Sequence, residues 1–294
     1  LERAGVHVIH GVLGLKTHAK LALVVRREHG SLRRYGHIGT GNYNSDSARQ
    51  YEDVGLLTAN TDLCADLSEL FNFLTGYSER RRYAKVLVAP ATLRSKLVSL
   101  IRDEAARPNG RIVIKVNNLS DVEIIEALYE ASAAGCQIDL IVRSVCCLRP
   151  GVGGLSENIR VHSIVGRYLE HSRIFRFGRN QDEATYYIGS ADLMKRNLDE
   201  RVEALTPVAD PVLTRRLAEI LDVNLDDDKL AWELHADGSW SKVACTAGVD
   251  TQRRLQELAE ARAGLRSRSR ERSSGCDEPS ERPDEGPEHE EPDA

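Results

Sequence analysis

The sequence predicts an α/β protein of two consecutive α/β domains with a disordered acidic C-terminal tail, and three observations predict it. Strand-length and helix-length apolar runs alternate between residues 83 and 225. A histidine, a cation and a small-residue turn occur twice in the same order, once in residues 1–82 and once in residues 83–225. Residues 263–294 are rich in Asp, Glu, Arg, Ser and Pro and nearly free of large apolar side chains, so they cannot bury enough surface to offset the entropy of ordering. Between the second domain and the tail, residues 226–262 read as an extension with a short helix and a strand, and no function attaches to it.

In residues 1–82, strands are predicted at Val6–Ile9, Lys20–Arg26 and Tyr35–Gly39, and a helix at Thr61–Tyr77, whose leucines and phenylalanines recur at helical spacing. In the second domain a strand at Lys85-Val-Leu-Val-Ala-Pro90 leads to a helix (Thr92–Ala106), a strand (Arg111–Val116), a helix (Asp121–Ala134) and a strand (Gln137–Val142). That alternation predicts a parallel sheet covered by helices. Turn signals at Asn109-Gly110 and Gly135, and N-cap signals at Ser120 and Asp121, fall where the periodicity needs them. After the Pro150–Gly154 loop, strands resume at Ile159–Val165, Arg173–Phe177 and Thr185–Gly189, and a helix follows at Pro211–Leu221.

With 41% hydrophobic and 29% charged residues, the 294-residue chain has the composition of an ordinary soluble protein with enough apolar side chains for two cores. No run reaches the eighteen apolar residues a membrane span needs, and the first residues show no charged-then-apolar leader. The opening on Leu-Glu-Arg rather than Met reads as a truncation point. The six cysteines form no Cys-x-x-Cys pair and no zinc-like spacing with histidine; they read as reduced thiols, Cys146 and Cys147 as packing residues, in a cytoplasmic protein.

The repeat carries chemistry. His18-Ala-Lys20 leads a strand and is followed by Gly39-Thr-Gly-Asn42; His171-Ser-Arg173 leads another and is followed by Gly189-Ser-Ala-Asp192. Alternate residues of a strand share a face, so each histidine points the same way as its cation and the pair can converge on one oxyanion. Phosphoryl transfer asks for such a set, an aligned nucleophile with fixed positive charge for the equatorial oxygens. The small-residue turns would let backbone amides approach a phosphate, and Asn42 and Asp192 are candidates to orient an imidazole through its second nitrogen. Arg143 ends a predicted parallel strand, where ligands gather. Arg143, Arg149, Arg160, Arg167 and Arg173 together are a candidate cationic channel for a polyanion. The Gly151–Gly154 loop lacks the lysine and hydroxyl of a P-loop and reads as a turn.

Paired His-x-Lys-like motifs followed by Gly-Ser/Thr-x-Asn resemble the phospholipase D superfamily, and the surrounding words resemble its long polyphosphate kinase branch. The words are Gly14-Leu-Lys-Thr-His-Ala-Lys20, Gly39-Thr-Gly-Asn-Tyr43, Leu70-Phe-Asn-Phe-Leu-Thr-Gly76, Cys147-Leu-Arg-Pro-Gly151, Leu155-Ser-Glu-Asn-Ile-Arg160, Leu169-Glu-His-Ser-Arg173 and Gly189-Ser-Ala-Asp192. The resemblance runs from about Gly5 to Val208 and implies two phospholipase D-like domains, the first incomplete at its N-terminus. It implies that His18 is the histidine that becomes phosphorylated and that His171 is the second active-site histidine. Tyr51 and Arg143 match positions that contact ATP, with Lys20, Arg173 and His171 beside the nucleotide phosphates. It further implies ATP and Mg2+, ADP and inorganic polyphosphate as ligands; no residue of this chain is a candidate metal ligand. It also implies a homo-oligomer or association with an N-terminal polyphosphate kinase part, in the cytoplasm or peripheral to the membrane, without nucleic acid. Two positions depart from the family pattern, Ser144 where glycine is expected and His162 where arginine is expected. Two other readings stay open: a phospholipase D-type phosphodiester hydrolase, disfavoured because Lys20 is followed by the apolar run Leu21–Val25 rather than an early Asp, and an inactive remnant or polyphosphate-binding module.

Overall fold

The computed structural model describes residues 2–78 and 82–274, with side chains through 264. After a 3-10 turn at Glu2–Ala4 come β1 (Lys16–Thr17), β2 (Lys20–Glu28), β3 (Ser31–Gly39), α1 (Ser45–Gln50), β4 (Tyr51–Glu52), β5 (Gly55–Thr58) and α2 (Thr61–Leu74). Next are β6 (Leu87–Ala89), α3 (Leu93–Ala105), β7 (Arg111–Val116), α4 (Val122–Ala133), β8 (Gln137–Val142) and β9 (Ile159–Ile164). Then follow β10 (Leu169–Glu170), β11 (Ile174–Phe177), β12 (Thr185–Gly189), α5 (Lys195–Asp199), β13 (Arg201–Val208) and α6 (Pro211–Leu225). The chain ends in β14 (Ala231–Leu234), β15 (Trp240–Lys242) and α7 (Thr251–Ser274). Residues through Gln252 pack as one unit and those from Arg253 as a second.

Ten strands form the main sheet, in the order β1-β13-β12-β11-β7-β8-β9-β14-β15 with β6 also on β13. It is mixed rather than parallel. Only β7–β8–β9, joined by α4 and a long loop, and the short β1–β13 pair run parallel. β11 and β12 are joined by a connection too short for a parallel crossover and pair antiparallel, and β12 and β13, joined through α5, pair antiparallel as well. The largest core lies between this sheet and α3 and α4, with Leu93, Leu97, Ile101, Ile124 and Leu128 packed on Ile112, Ile114, Leu140 and Phe175. A second core joins Leu67 and Leu70 of α2 to Ile38, Val88, Val202 and Ala204. The three-stranded sheet β2-β3-β5 therefore leans on α2, and β13 serves both cores. N-caps hold the helices in place: the side chains of Asn60, Asp121 and Asp210 accept from the first turns of α2, α4 and α6.

The strand expected at Val6–Ile9 does not form; these residues run without a ladder partner, with Val6 and Ile9 exposed. β13 is a strand the sequence reading misses. Cys147 is exposed, so of the adjacent pair only the half-buried Cys146 packs. Helix α7 continues to Ser274, past residue 263 where the composition places the start of the tail; Arg253–Glu257 and Gln256–Glu260 bonds at i,i+4 support it. Residues 275–294, most of the predicted tail and Cys276 with it, lie outside the described residues.

Candidate active site

The link between β1 and β2 carries His18. Parallel pairing of β1 with β13 sets its place, because the backbone N–H groups of His18 and Ala19 both donate to the Val202 carbonyl. The next residue on β13 is Glu203, out of phase with Val202 and Ala204 and so on the opposite face from them. Its carboxylate is fully buried, and both oxygens lie 2.9 Å from His18 Nδ1. Ser190 Oγ and Asn197 Nδ2 also donate to Glu203, which fixes it in one pose. A carboxylate accepts, so Nδ1 carries the proton and Nε2 of a neutral His18 has the free lone pair.

His171 is placed by a crossing between the halves. β10 pairs with β4, and the His171 backbone N–H donates to the Glu52 carbonyl. Its Nδ1 meets Asp53 Oδ1 at 2.8 Å, and the Tyr51 ring tilts against the imidazole with centroids 4.9 Å apart. Arg173 Nη1 donates toward His171 Nε2 at 3.1 Å. The imidazole is buried; burial lowers its pKa, Arg173 and Arg143 lower it further, and Asp53 opposes them. A neutral ring is the result.

The two orienting carboxylates are exchanged between the halves. Thr40 Oγ1 donates to Asp53 Oδ1 at 2.6 Å and Asp53 holds His171; Ser190 Oγ donates to Glu203 and Glu203 holds His18. In both cases the hydroxyl of the small-residue turn lies thirteen residues before its carboxylate. This corrects the roles expected of Asn42 and Asp192: Asn42 is exposed, and Asp192 binds Arg173 through Nε at 3.3 Å and Nη2 at 3.2 Å rather than an imidazole. The turn glycines also have a different use from the phosphate approach expected of them. A Cβ at Gly41 would lie 2.5 Å from Asp53 Oδ2, and one at Gly189 would lie 2.0 Å from the Ala204 carbonyl, so these residues admit Asp53 and β13.

Lys20 is 5% exposed and donates to the His18 carbonyl at 2.6 Å, with no carboxylate in ion-pair range among the described residues. Burial drops its pKa to about 8, and the charges it feels, Glu203, Arg173, Asp53 and Asp192, come from both halves. Arg173 reaches across to the Thr40 carbonyl at 3.3 Å. Arg143, just past β8, donates Nε–H to Asn117 Oδ1 at 2.6 Å, and burial with the charge of Arg173 lowers its pKa. His18, Lys20, Tyr51, Arg143, His171 and Arg173 thus belong to one connected set.

Arg160 does not belong to it. It sits at the opposite end of the parallel strands, its Nε 2.8 Å from Asp139, which Arg111 also pairs. His162 is enclosed between β8 and β14, and burial lowers its pKa, so the position expected to hold a permanent charge holds a neutral ring. Asp53, Glu203 and Asn117 are the residues the sequence reading misses; the shared thirteen-residue spacing is the signal that finds the first two.

Comparison with known proteins bears on the same residues. The chain matches the family described as polyphosphate kinase C-terminal domain 1 over residues 1–80 and that described as polyphosphate kinase C-terminal domain 2 over residues 86–256. The chain belongs to the polyphosphate kinase family. The polyphosphate kinase of Thermosynechococcus vestitus is 57% identical over 244 residues, which are 82% of this chain and 33% of that protein. That of Streptomyces coelicolor is 51% identical over 263 residues, 88% of this chain and 35% of the relative. The crystal structure of polyphosphate kinase from Porphyromonas gingivalis superposes with a TM-score of 0.84 at 36% identity, covering 90% of this chain and 42% of that one. The chain therefore spans about a third of the length of its curated relatives. Among the described residues no helix is long and apolar enough to cross a membrane. Nor do those residues group three or more His, Cys, Asp or Glu side chains as a metal would need. The site carboxylates Glu203, Asp53 and Asp192 are each already engaged by protein donors.

Proposed function

We propose that this chain is the catalytic C-terminal part of a polyphosphate kinase that moves the γ-phosphate of ATP to polyphosphate by way of phosphorylated His18. The observation that carries the reading is His18 itself, held at Nδ1 by buried Glu203 with Nε2 free beside Lys20. Nε2 attacks the γ-phosphorus; the N–P bond forms as the bond to the bridging oxygen breaks, and ADP takes that electron pair. A terminal oxygen of polyphosphate then attacks the same phosphorus, and the N–P electron pair returns to Nε2. The Nδ1 proton stays on the ring, hydrogen-bonded to Glu203, whose negative charge offsets the positive charge the ring gains. Lys20, Arg173 and Arg143 neutralise the transferred group, His171 stabilises it through Arg173, whose Nη1–H its Nε2 accepts, and Tyr51 and Arg143 hold the nucleotide. The reverse sequence makes ATP from ADP.

Mg2+ fits this chain only as part of the substrate, carried on the ATP phosphates, because the nearby carboxylates are committed to His18, His171 and Arg173. The remaining two-thirds of a full-length relative, in the same polypeptide or from a partner, supplies the rest of the nucleotide pocket; the setting is the cytoplasm or its membrane surface.

Incubation with γ-labelled ATP and Mg2+, alone and with the N-terminal part of a related polyphosphate kinase, is expected to place acid-labile label on the chain. His18→Ala is expected to abolish it. Label that persists in His18→Ala removes His18 as the nucleophile, and no label in either mixture removes the kinase reading.

A further inference from the structure

Asn117 follows β7 as Arg143 follows β8, and it is 1% exposed. Its side-chain oxygen accepts the Arg143 Nε–H, and because a guanidinium only donates, the amide orientation is settled and Nδ2 is the atom left over. That Nδ2 is buried without a hydrogen-bond partner among the described residues. A buried donor lacking an acceptor is costly and calls for an explanation. The backbone N–H of Asn117 donates to Asp192 Oδ1 at 2.8 Å, and Asp192 is the carboxylate that holds Arg173. One residue thus sets the heading of both guanidinium groups. Arg173 has its counterion; Arg143 has no carboxylate in ion-pair range among the described residues, and its lowered pKa reflects burial near a like charge. Two neighbouring guanidinium groups of which only Arg173 has a carboxylate leave net positive charge and the Arg143 Nη donors free, the geometry that suits phosphate oxygens.

We propose that Asn117 is a positioning residue of an anion subsite: it turns Arg143 so that the Nη groups, with its own Nδ2–H, receive an oxygen of a phosphoanhydride chain. The inference rests on the phosphate-binding part of the function proposed above, and extends it to a residue that touches neither histidine. A purely structural Asn117 would tie off the end of β7 and leave ligand binding to Arg143 alone.

Calorimetry with inorganic tripolyphosphate separates the two. Arg143→Ala and Asn117→Ala are each expected to weaken binding about tenfold or more, and the double variant by less than the product of the two, because part of the Asn117 effect acts through Arg143. Asn117→Asp keeps the acceptor for Nε but replaces the amide donor with a charge that neutralises Arg143, so it is expected to weaken binding at least as much. Additive effects of the two alanines, an Asn117→Asp protein that binds normally, or a wild-type chain that does not bind overturns the proposal. Should the variants not fold, the Arg143 Nε–H resonance of the wild-type chain serves: protection from solvent exchange and a shift on adding tripolyphosphate are expected, and an unshifted signal is contrary. ATP run in parallel tells the source of the phosphate, since tighter binding than tripolyphosphate that Tyr51→Ala removes marks the nucleotide, and equal binding marks the polyphosphate path; either supports the subsite. Acid-labile labelling is read on the same preparations. Label without coupling of Asn117 to Arg143 overturns this inference and keeps the kinase reading, and coupling without label does the reverse.

Discussion

His18 and His171 hold equivalent places in the repeat, each gripped at Nδ1 by a carboxylate from the other half, yet their surroundings differ in two respects. The His18 side chain is 21% exposed and that of His171 8%. The cation two residues on is Lys20, without a carboxylate of its own among the described residues, in the first half, and Arg173, forked onto Asp192, in the second. The first half therefore presents an accessible imidazole beside an ammonium that awaits an anion, and the second a buried, neutral imidazole inside a closed ion-pair network. A repeat that begins with one pattern thus divides through burial and counterions, and the counterion Asp192 stands where the first half has Asn42; under the proposed mechanism the first half reacts and the second supports.

Exchanging the carboxylates for amides is the strongest way to break this comparison. Glu203→Gln leaves size and most donors in place but lets an N–H face His18 Nδ1, which favours the wrong tautomer; the rate of label formation is expected to fall about a thousandfold or more. Asp53→Asn acts on the supporting histidine and is expected to cost roughly a hundredfold. Rapid-quench measurement of acid-labile label compares them. Equal losses would mean that both histidines react in turn, and a larger loss with Asp53→Asn would exchange their roles.

The contrast between Lys20 and Arg173 predicts a pH dependence. With a pKa of about 8, Lys20 loses its charge as pH rises through that value, and the transfer rate is expected to fall toward about tenfold per pH unit above it. Lys20→Arg keeps the charge and is expected to remove this alkaline limb, whereas Arg173→Lys, still beside Asp192, is expected to add none. The loss is not an unfolding. The Lys20 pKa is lower in the folded chain than its ordinary 10.5, so between pH 8 and 10.5 the unfolded chain binds more protons and stability rises with pH through that window. A pH–rate profile set against thermal midpoints over the same range checks both signs. A limb that survives in Lys20→Arg belongs to another group.

How far such a division can be read from sequence depends on the range of the interactions that make it. The periods of α2, α3, α4 and α6 and of β7 and β8 are local and legible, as are His18, Lys20, His171 and Arg173 at the heads of their strands. β13 is not, because Arg201-Val-Glu-Ala-Leu-Thr-Pro-Val208 carries a charge near its start and a proline near its end. Glu203 is tolerated there only because His18, Ser190 and Asn197 satisfy it, and the first of these is 185 residues away. Asp53 likewise lies between two short strands and gains its meaning from His171, 118 residues on. The equal spacing of Thr40 to Asp53 and Ser190 to Glu203 is present in the chain, but it becomes a signal only once the repeat is aligned from its turns rather than from its histidines.

Arg160 provides the smallest and most local test. Composition alone groups it with Arg143 as cationic lining, but it lies beside Asp139 at the far end of β8 and β9, 63% exposed in its side chain, and Arg111 also pairs that carboxylate. Asp139 is buried, but Arg111 still pairs it in Arg160→Ala, so losing the solvent-exposed Arg160 costs about 1 kcal/mol. Tripolyphosphate affinity is therefore expected to stay within about twofold of wild type, and the denaturation midpoint to fall only slightly, where Arg143→Ala costs about tenfold in affinity. If Arg160→Ala weakened binding as Arg143→Ala does, the polyanion would have to run the length of the parallel strands. The division between a charged end and a neutralised end of the sheet, on which the assignment of Arg143 depends, would then be wrong.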